Sequence, residues 1–560
     1  MVSEHNMPKY EQVRDGFTWN DVYEAADWDA PDALNVAHEV CDRHAENREK
    51  VALYQVSEDG ELTTTTFWEL AEATNRFANV LEDLGIERGD RVFSYMPRIP
   101  EHYVALVGTL KRGAVFGGIN ERFGPDGISY RLADCDATAV VTTAANREAI
   151  ADALEDAPAV EHVIVVSDDG TGIRRGDVSY RAAMETASRE YEPADTGGED
   201  DALLYYTSGT TGPAKGVLHE HRWVAGVAAT QQYAVDLQEG DLYWSTGDLG
   251  WLTGPINTLG AWFWGAALFT YEGEFDPEAW VDLLDRYPIT VLFSVPTAYR
   301  MLREHDHLLE DVSLDLRHAL SIGEPLSAGV VEWGENRLGV TIHDTYGQTE
   351  TGNMVINNYP AMAVRPGSMG KPLPGIEAAV VDPETGEVLE PGQTGEIAQR
   401  GDYPCFFAEY WEKPEKTESS FVDGPDGRWY LSGDLAHVDE DGYFWFEGRA
   451  DDVIISSGYR IGPFEVESSL GEHDAVAEAA VVPKPDSERG NVVKAYIVPS
   501  EGASPSAALE EDIKSHVKED LAAHEYPREI EFRDELPKTV TGKIRRTELQ
   551  DEAQKEAEAT

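Results

Sequence analysis

Residues 205–216 read YYTSGTTGPAKG, and the interpretation of the whole chain starts from this stretch. Glycine lets backbone N–H groups approach an anion closely, hydroxyl groups add donors, and lysine adds a positive charge. The composition therefore predicts a cradle for a polyphosphate. The cradle residues are Thr207, Ser208, Gly209, Thr210, Thr211, Gly212, Lys215 and Gly216.

The cradle follows a predicted strand and is not a Walker loop. Residues 202–206 (ALLYY) are apolar and aromatic, as in a buried strand. A Walker loop has glycine directly before its lysine, whereas Ala214 precedes Lys215 here. The alternative is a flexible loop rich in serine, threonine and glycine. Its place directly after a strand favours the cradle.

The segments around the cradle alternate between strand-like and helix-like patterns. Strands are predicted at residues 51–56, 91–96, 114–119, 139–142 and 160–166. Between the first two, Thr66 and Glu69 have capping-box spacing and open an amphipathic pattern that stops at Gly85. This alternation predicts an α/β fold of parallel sheets covered by helices. The longest nearly apolar run, residues 259–271, is too short to span a bilayer and is predicted to be a buried helix–strand segment.

A second region of organisation begins near residue 449. Strands are predicted at 477–483 and 492–498, a helix at 508–523, and a frayed polar tail from 550 onward. We expect an N-terminal domain over residues 1–447, a hinge over 448–452 and a C-terminal domain over 453–560.

The charge of the chain is extreme. Its 105 acidic and 45 basic residues give a formal net charge of −60, yet 13 Trp, 24 Tyr and 17 Phe argue against a disordered acidic chain. A folded protein with an acidic surface fits concentrated salt, where screening shortens charge repulsion to about 3 Å at 1 M. Nucleic acid and anionic membranes require basic surfaces and are not expected as partners.

Cysteine usage and the first residues predict a cytoplasmic protein. Cys41, Cys135 and Cys405 are far apart and odd in number, which argues against a disulfide framework. The N-terminal residues have no apolar core of the kind found in signal peptides. The two His-x-His pairs, at 219–221 and 305–307, have no nearby third ligand and are not interpreted as a metal site. The oligomeric state is left open.

Three further motifs accompany the cradle. They are DTYGQTETG at 344–352, YLSGDLAHVDEDGYFWFEGRADDVIISSGYRIGPF at 430–464, and PKTVTGKIRR at 537–546. In order and spacing, the four motifs resemble the adenylate-forming superfamily of acyl-CoA synthetases, luciferases and peptide-synthetase adenylation domains. The resemblance covers about residues 30–550, and residues 448–466 look most like medium-chain acyl-CoA synthetases and acetyl- and propionyl-CoA synthetases.

The resemblance implies a fold and a reaction. The implied fold is a large N-terminal domain of helix-covered, mainly parallel sheets with a β-barrel-like portion, plus a small mobile α+β C-terminal domain. A carboxylate attacks the α-phosphate of ATP to give acyl-AMP and pyrophosphate, and the thiol of CoA then displaces AMP. Mg²⁺ arrives with ATP, held mostly by phosphates and water. No tightly bound organic cofactor is implied.

The first step brings two anions together, so the protein must supply cations and oriented donors. Lys543 is the first candidate, because residues 537–546 hold four basic residues and no acid in this acidic chain. By resemblance, Lys543 contacts the carboxylate and the α-phosphate. Thr349 matches a threonine on the α-phosphate, and Glu350 matches a glutamate near Mg²⁺.

Other nucleotide contacts follow from the resemblance. Asp434, an acceptor when ionised, suits the two ribose hydroxyls. Arg449 matches an arginine near the ribose and phosphates, and Arg460 a residue near the substrate or phosphates. The adenine-side and motif residues are Gly323, Glu324, Pro325, Asp344, Thr345, Tyr346, Gly347 and Gln348.

The second step requires a different face of the small domain. Asp451 matches the family hinge about which that domain rotates. The arriving face is predicted to carry Ser457, Gly458 and Tyr459 against the pantetheine arm of CoA. Arg489 and Tyr526 are predicted to contact CoA.

The acyl pocket is predicted from Trp251, Thr253, Tyr346 and Gly347. Acetyl-CoA synthetases have tryptophan at the position of Gly347, so glycine is expected to open the pocket to a short-to-medium-chain fatty acid. Each buried methylene contributes about 0.8 kcal/mol. Acetate, propionate or an aromatic acid such as benzoate are the alternatives, and Gly347→Trp is expected to shift preference toward acetate.

Two other functions are weighed. An adenylating protein could pass its acyl group to a carrier protein instead of CoA, although residues 456–467 and Arg489 favour CoA. The protein could instead be a paralogue that binds nucleotide without catalysis, but such a protein is expected to have lost the residues that bind and activate ATP. The retention of Lys215, Glu350, Asp434, Arg449 and Lys543 argues against it.

Overall fold

The computed structural model describes residues 5–25, 34–207, 213–450, 452, 454–456, 459–486, 489–500, 502–521, 525–538 and 544–559. These ranges contain four β-sheets with helices packed between and around them. The strands are β1 Val51–Val56, β2 Leu62–Thr66, β3 Arg91–Tyr95, β4 Val115–Gly118, β5 Ala139–Thr143, β6 His162–Val166, β7 Val178–Ser179, β8 Asp201–Thr207, β9 Lys215–Glu220, β10 Leu242–Ser245, β11 Ala267–Tyr271, β12 Val291–Ser294, β13 His318–Ser321, β14 Ile342–Gln348, β15 Asn353–Asn357, β16 Lys371–Pro372, β17 Ala378–Val381, β18 Gly395–Gln399, β19 Glu409–Tyr410, β20 Phe421–Gly424, β21 Gly427–Val438, β22 Phe444–Arg449, β23 Ile454–Ser456, β24 Tyr459–Ile461, β25 Val476–Asp486, β26 Gly490–Pro499 and β27 Glu529–Phe532.

The α-helices lie mostly between successive strands. They are α1 Tyr10–Gly16, α2 Trp19–Tyr23, α3 Val36–Val40, α4 Phe67–Asp83, α5 Pro100–Arg112, α6 Pro125–Asp134, α7 Arg147–Ala153, α8 Tyr180–Thr186, α9 Trp223–Tyr233, α10 Thr253–Phe263, α11 Pro277–Arg286, α12 Pro296–Glu304, α13 Ala328–Trp333, α14 Pro414–Glu418, α15 Pro463–Gly471, α16 Ala507–Asp520 and α17 Arg546–Ala559. Within the described ranges, every helix is too short or too polar to cross a bilayer.

Two large, mainly parallel sheets form the body of the protein. One has the order β16-β15-β14-β13-β12-β10-β11-β1-β2 and the other β19-β9-β8-β4-β3-β5-β6-β7. Their central strands pair in parallel, whereas the β8–β9 and β14–β15 pairs are antiparallel. The predicted α/β class is confirmed. The capping box at Thr66 and Glu69 opens α4, and the run at 259–271 forms the end of α10 and β11.

A smaller antiparallel sheet adjoins the two large ones. It has the order β17-β18-β21-β20, with β22 paired to β21. This sheet occupies the region of the expected barrel-like portion, but none of the sheets in the described ranges closes into a barrel.

The last sheet, β24-β23-β26-β25 with β27 on β26, has its own hydrophobic core. The chain passes from the β21–β22 pair to this sheet between Arg449 and Ile454. The expectation of a frayed tail from residue 550 is wrong, because α17 runs through it and buries Leu549 and Ala553. Glu556 on this helix forms ion pairs with Lys484 and Lys494.

Candidate active site

The β8–β9 hairpin carries both ends of the predicted polyphosphate cradle. Strand pairing sets Thr207 opposite Lys215 and Tyr206 opposite Gly216. The hydroxyl oxygen of Thr207 is buried and has no hydrogen-bond partner among the described residues. The cradle residues that lie outside the described ranges are Ser208, Gly209, Thr210, Thr211 and Gly212.

Lys215 and Glu350 meet across the phenol of Tyr410. The Lys215 Nζ atom is 3.2 Å from the Tyr410 hydroxyl oxygen and 3.8 Å from Glu350 Oε1. The Tyr410 hydroxyl donates to the same carboxylate oxygen at 2.8 Å. Burial lowers the pKa of Lys215, although the charge of Glu350 acts in the opposite direction. A cation and a carboxylate, separated by one neutral group, therefore stand at the end of the cradle hairpin.

Thr349 is linked to the same hairpin through a histidine. Nε2 of His219 on β9 donates to the carbonyl oxygen of Thr349 at 2.8 Å. Burial lowers the pKa of His219 to about 4, so the ring is neutral near pH 7. The hydrogen bond holds the turn after β14 against the cradle strand.

Three predicted nucleotide residues converge on the carboxylate of a fourth, Asp434. Oδ2 of Asp434 accepts from the Tyr346 hydroxyl at 2.7 Å and from Nε2 of Gln348 at 2.6 Å. Its Oδ1 atom is 3.3 Å from Nη1 of Arg449. Three residues of the predicted nucleotide site therefore hold the Asp434 carboxylate in place.

Asp344 lies at the carboxyl end of the parallel pair β13–β14. Burial raises the pKa of Asp344 well above its usual range, more than nearby backbone N–H groups lower it. Its Oδ1 atom and the hydroxyl oxygen of the neighbouring Ser321 are buried without hydrogen-bond partners in the described part of the chain. Thr345 donates its hydroxyl to the Ser321 carbonyl at 2.7 Å. Unpaired buried polar atoms at strand ends indicate a place for a hydrogen-bonding ligand.

The adenine-side loop follows β13 directly. Gly323 has a positive φ of 92°, and an added Cβ there would meet nothing within 4 Å. The Glu324 carboxylate accepts from the Thr297 hydroxyl at 2.8 Å and from Nη2 of Arg300 at 2.7 Å. The two partners on α12 hold this side of the loop, and Pro325 continues it toward Leu326, which is buried.

The predicted acyl-pocket residues lie on two elements, β14 and the start of α10 with the residues just before it. Trp251 packs its ring against Phe123, with ring centroids 5.4 Å apart. Thr253 is the first residue of α10, and Tyr346 is on β14.

Gly347 does not face open space. A Cβ atom at Gly347 would lie 2.0 Å from the carbonyl oxygen of Asn353 on the paired strand β15. The glycine is therefore needed for the contact between β14 and β15, and its effect on the length of the acid stays a prediction. The close approach of two backbones requires glycine here, and Gly347→Trp is no clean test of chain length.

Several predicted C-terminal residues cannot be placed. Asp451, Ser457, Gly458 and Lys543 lie outside the described residues. Tyr459 and Arg460 are described by their backbone alone, as the β24 partners of Ser456 and Ile455.

The segment that precedes Lys543 contacts β25 of the small domain. Nζ of Lys538 is 2.6 Å from Oε1 of Glu478. Burial raises the pKa of Glu304 at the end of α12, the charge of Glu478 raises it further, and Lys538 lowers it. The charges of Lys538 and Glu478 therefore act on the C-terminal end of α12, the helix whose Arg300 binds Glu324 of the adenine-side loop.

The two predicted CoA contacts lie on the small domain. Arg489 is exposed, and its backbone N–H donates to Oδ1 of Asp486 at 2.9 Å. Two cations lie near the Tyr526 ring, with Lys518 Nζ 4.0 Å and Arg528 Cζ 4.2 Å from its centroid.

Tyr410 and His219 are site residues that motif reading missed. Tyr410 is 195 positions from Lys215 and belongs to a strand of two residues. His219 was considered only as a metal ligand, but it binds the Thr349 carbonyl, while Nδ1 of His221 accepts from the backbone N–H of Val36. His219 ends a continuous buried run of four residues in β9, but no local signal predicts its partner.

Comparison with known proteins identifies the family. The AMP-binding enzyme model matches residues 41–411, and the AMP-binding enzyme C-terminal domain model matches residues 465–543. The chain is 44% identical over 555 residues to an acetyl-coenzyme A synthetase from Bacillus subtilis, covering 98% of this chain and 95% of that one. It is 39% identical over 537 residues to the mitochondrial acyl-coenzyme A synthetase ACSM4 of Mus musculus, covering 93% and 91%.

A solved structure agrees with these relatives. An anthranilate CoA ligase, AuaEII, in complex with anthranoyl-AMP has a TM-score of 0.87 and 30% identity, covering 97% of this chain and all of that one. The chain therefore belongs to the AMP-binding enzyme family, among its AMP-forming acyl-CoA ligases.

Proposed function

We propose that this ligase couples a short-to-medium-chain fatty acid to CoA, with ATP converted to AMP and pyrophosphate through an acyl-AMP intermediate. The observation that carries the proposal is the meeting of Lys215 and Glu350 at the end of the β8–β9 hairpin, next to the unpartnered Thr207 hydroxyl. A cation, a hydroxyl and a glycine-rich loop suit a triphosphate, and a carboxylate oxygen beside them suits Mg²⁺.

The nucleotide is proposed to lie across the carboxyl ends of the strands. In this proposal, residues 207–212 and Lys215 bind the phosphates, Asp434 accepts from the ribose hydroxyls, and Arg449 approaches ribose and phosphate. Asp344 and the loop of Gly323, Glu324 and Pro325 form the adenine side. The unpartnered Oδ1 of Asp344 supports the adenine side, and the meeting of Tyr346, Gln348 and Arg449 at the Asp434 carboxylate supports the ribose side.

Glu350 is proposed to bind Mg²⁺ together with the phosphates. The metal would neutralise charge on the triphosphate, while this chain holds the carboxylate in place through the Tyr410 hydroxyl. A single protein carboxylate suits Mg²⁺, which commonly keeps water and phosphate oxygens as its other ligands.

Lys543 is proposed as the catalytic lysine of the first step, with Thr349 beside the α-phosphate. The charge of Lys538, five positions earlier, acts on the end of α12, whose Arg300 binds Glu324 of the adenine-side loop, and this supports delivery of Lys543 to the nucleotide. We place the domain boundary and hinge at residues 448–452. This placement is supported by the change of sheet between Arg449 and Ile454.

For the second step we propose that Ser457, Gly458 and Tyr459 meet the pantetheine arm after the small domain rotates. Arg489 and Tyr526 are proposed to contact the CoA nucleotide. The two cations near the Tyr526 ring support an anion-binding role for this surface.

The acyl pocket is proposed to select the acid. Trp251, Thr253 and Tyr346 are proposed to line the pocket. Gly347 is proposed to lie at its edge, where β15 passes close behind the glycine. The similar proteins are named as an acetyl-CoA synthetase, an acyl-CoA synthetase and an anthranilate CoA ligase. Acetate or propionate and an aromatic acid are therefore tested as alternatives.

The experiment is a panel of carboxylic acids with ATP and CoA at high KCl, following AMP and thioester together. We expect a higher kcat/KM for hexanoate or octanoate than for acetate or benzoate. A strong preference for acetate or benzoate would refute the chain-length proposal, and AMP without thioester would refute the use of free CoA.

Lys543→Ala tests the catalytic lysine. We expect carboxylate-dependent pyrophosphate exchange to be lost, because the cation for the first step is removed. Transfer of a supplied acyl-AMP to CoA should stay within about threefold of the parent protein, which is roughly 0.7 kcal/mol in barrier. Equal damage to both half-reactions would contradict the assignment. Lys538→Ala is the matched control, since it removes a neighbouring cation that contacts Glu478.

A further inference from the structure

Tyr410 stands between the two oppositely charged side chains of the phosphate site. Tyr410 is 2% exposed. It lies on β19, which pairs antiparallel with β9 and sets Tyr410 opposite Val217. The backbone N–H of Tyr410 donates to the Thr417 hydroxyl at 2.9 Å, and its ring packs on Phe407 with centroids 5.0 Å apart. These contacts fix the ring, so the direction of its hydroxyl is set by the fold.

The Tyr410 hydroxyl contacts both charged side chains. It donates to Glu350 Oε1 at 2.8 Å and lies 3.2 Å from Lys215 Nζ, which can donate to the phenol oxygen. The Lys215 ammonium is also 4.2 Å from the centre of the Tyr410 ring. Burial and the charge of Glu350 raise the pKa of Tyr410, so the phenol remains a neutral donor.

Lys215 and Glu350 do not form a direct hydrogen bond in this arrangement. Nζ and Oε1 are 3.8 Å apart, beyond hydrogen-bond distance. A direct charge-assisted bond is about twice as strong as a neutral one. Such a bond would have to break before Lys215 could bind a phosphate and Glu350 could approach a metal.

We propose that Tyr410 is a positioning residue that keeps Lys215 and Glu350 apart and oriented for the magnesium–nucleotide complex. The inference rests on the proposed function, because it concerns the same phosphate site. Tyr410 acts through Glu350 and Lys215 and is given no contact with the reacting atoms.

Tyr410→Phe tests the inference, because it keeps the ring and removes only the hydroxyl. Without the hydroxyl, the ammonium is expected to move onto the carboxylate. The KM for MgATP in pyrophosphate exchange should then rise about tenfold, a change worth roughly 1.4 kcal/mol. The rate of thioester formation from supplied acyl-AMP should change less than about twofold, since that step releases AMP and needs no triphosphate.

The matched control is Tyr403→Phe. Tyr403 is also buried, and its hydroxyl donates to Gln399 at 2.6 Å rather than to a charged group of the site. A purely structural role of a buried tyrosine hydroxyl predicts equal effects of the two variants. A KM for MgATP that is unchanged in Tyr410→Phe, or raised equally in both variants, would overturn the inference.

A double-mutant comparison identifies the route of the effect. In a Glu350→Gln background, Lys215 has no carboxylate to pair with, so Tyr410→Phe should weaken MgATP binding less than about twofold. An effect that stays tenfold in that background would show that Tyr410 does not act through Glu350.

The same variants separate this inference from the proposed function. If the parent protein shows no carboxylate-dependent exchange, the proposed function fails, and direct titration with MgATP then tests Tyr410. In that titration, Tyr410→Phe should bind MgATP about tenfold more weakly than the parent protein. Equal affinities would overturn the inference.

Discussion

The strand that pairs with Gly347 limits which residues can replace this glycine. The backbone of β15 passes so close that a Cβ would lie 2.0 Å from the Asn353 carbonyl oxygen. We predict that Gly347→Ala lowers the free energy of unfolding by about 1–3 kcal/mol, as overpacking does. It should also lower kcat/KM for acetate and octanoate alike, because β14 must shift as a whole.

The measurement is thermal unfolding together with the acid panel. Gly124→Ala is the control, because Gly124 has a φ of −77° and no atom within 4 Å of an added Cβ. A Gly347→Ala protein of unchanged stability that favours acetate would restore the simpler interpretation of an open pocket.

The site could be predicted from sequence only where its residues sit in long motifs. Lys215, Glu350 and Asp434 belong to such motifs, and the structure brings Lys215 to Glu350 and Asp434 to its predicted neighbours Tyr346, Gln348 and Arg449. Tyr410 could not be found this way. Its role comes from pairing a two-residue strand with β9, and tertiary pairing leaves no local pattern.

At the scale of elements, the link between β22 and β23 governs the proposed change of pose. The two strands belong to different sheets and are joined by residues 450–453. Asp451→Pro fixes φ near −65° at the proposed hinge. We predict that pyrophosphate exchange stays within about threefold, whereas thioester formation from acyl-AMP falls at least about tenfold.

Asp451→Ala is the companion variant, because it removes the carboxylate and leaves φ free. If Asp451→Ala impairs thioester formation as much as Asp451→Pro, the carboxylate matters and rotation about this residue does not. Loss of exchange in Asp451→Pro would contradict a hinge that acts only in the second step.

Most elements of the body follow from local pattern, whereas the last helix does not. The alternation of strands and helices at residues 51–166 reflects burial of strands under amphipathic helices, and β1 and β3–β6 lie within two residues of their predicted bounds. Helix α17 has little apolar surface of its own. It is held by two buried residues, Leu549 and Ala553, and by the pairs of Glu556 with Lys484 and Lys494. These partners are distant in sequence, so composition alone pointed to fraying.

The whole molecule carries a set of buried neutral histidines. Burial lowers the pKa of four of them to about 4, namely His44, His219, His221 and His343. Between about pH 6.5 and 4 the unfolded chain binds protons that the folded chain excludes, so stability falls as the pH falls. Each such histidine should contribute a slope of about 1.4 kcal/mol per pH unit in that window.

Urea unfolding at fixed KCl, between about pH 7 and pH 5, checks this sign. His221→Asn should lower the slope of unfolding free energy against pH by the contribution of one histidine. Asn is chosen because its side-chain oxygen can still accept from the Val36 N–H, as His221 Nδ1 does. An unfolding free energy that is flat over this window, or that rises as the pH falls, would contradict the prediction.

Net charge sets the last expectation for the whole molecule. With a formal charge of −60, the folded chain repels itself more strongly than the expanded unfolded chain, and screening relieves that repulsion. Raising KCl from about 0.1 M to 1 M shortens the screening length from about 10 Å to 3 Å. We therefore predict that the unfolding midpoint and the ligase activity both rise over this range. Sucrose at equal osmolality, which favours burial without screening charge, should give a clearly smaller gain. Equal gains in sucrose and KCl, or full stability in dilute salt, would mean that the acidic surface is not an adaptation to salt.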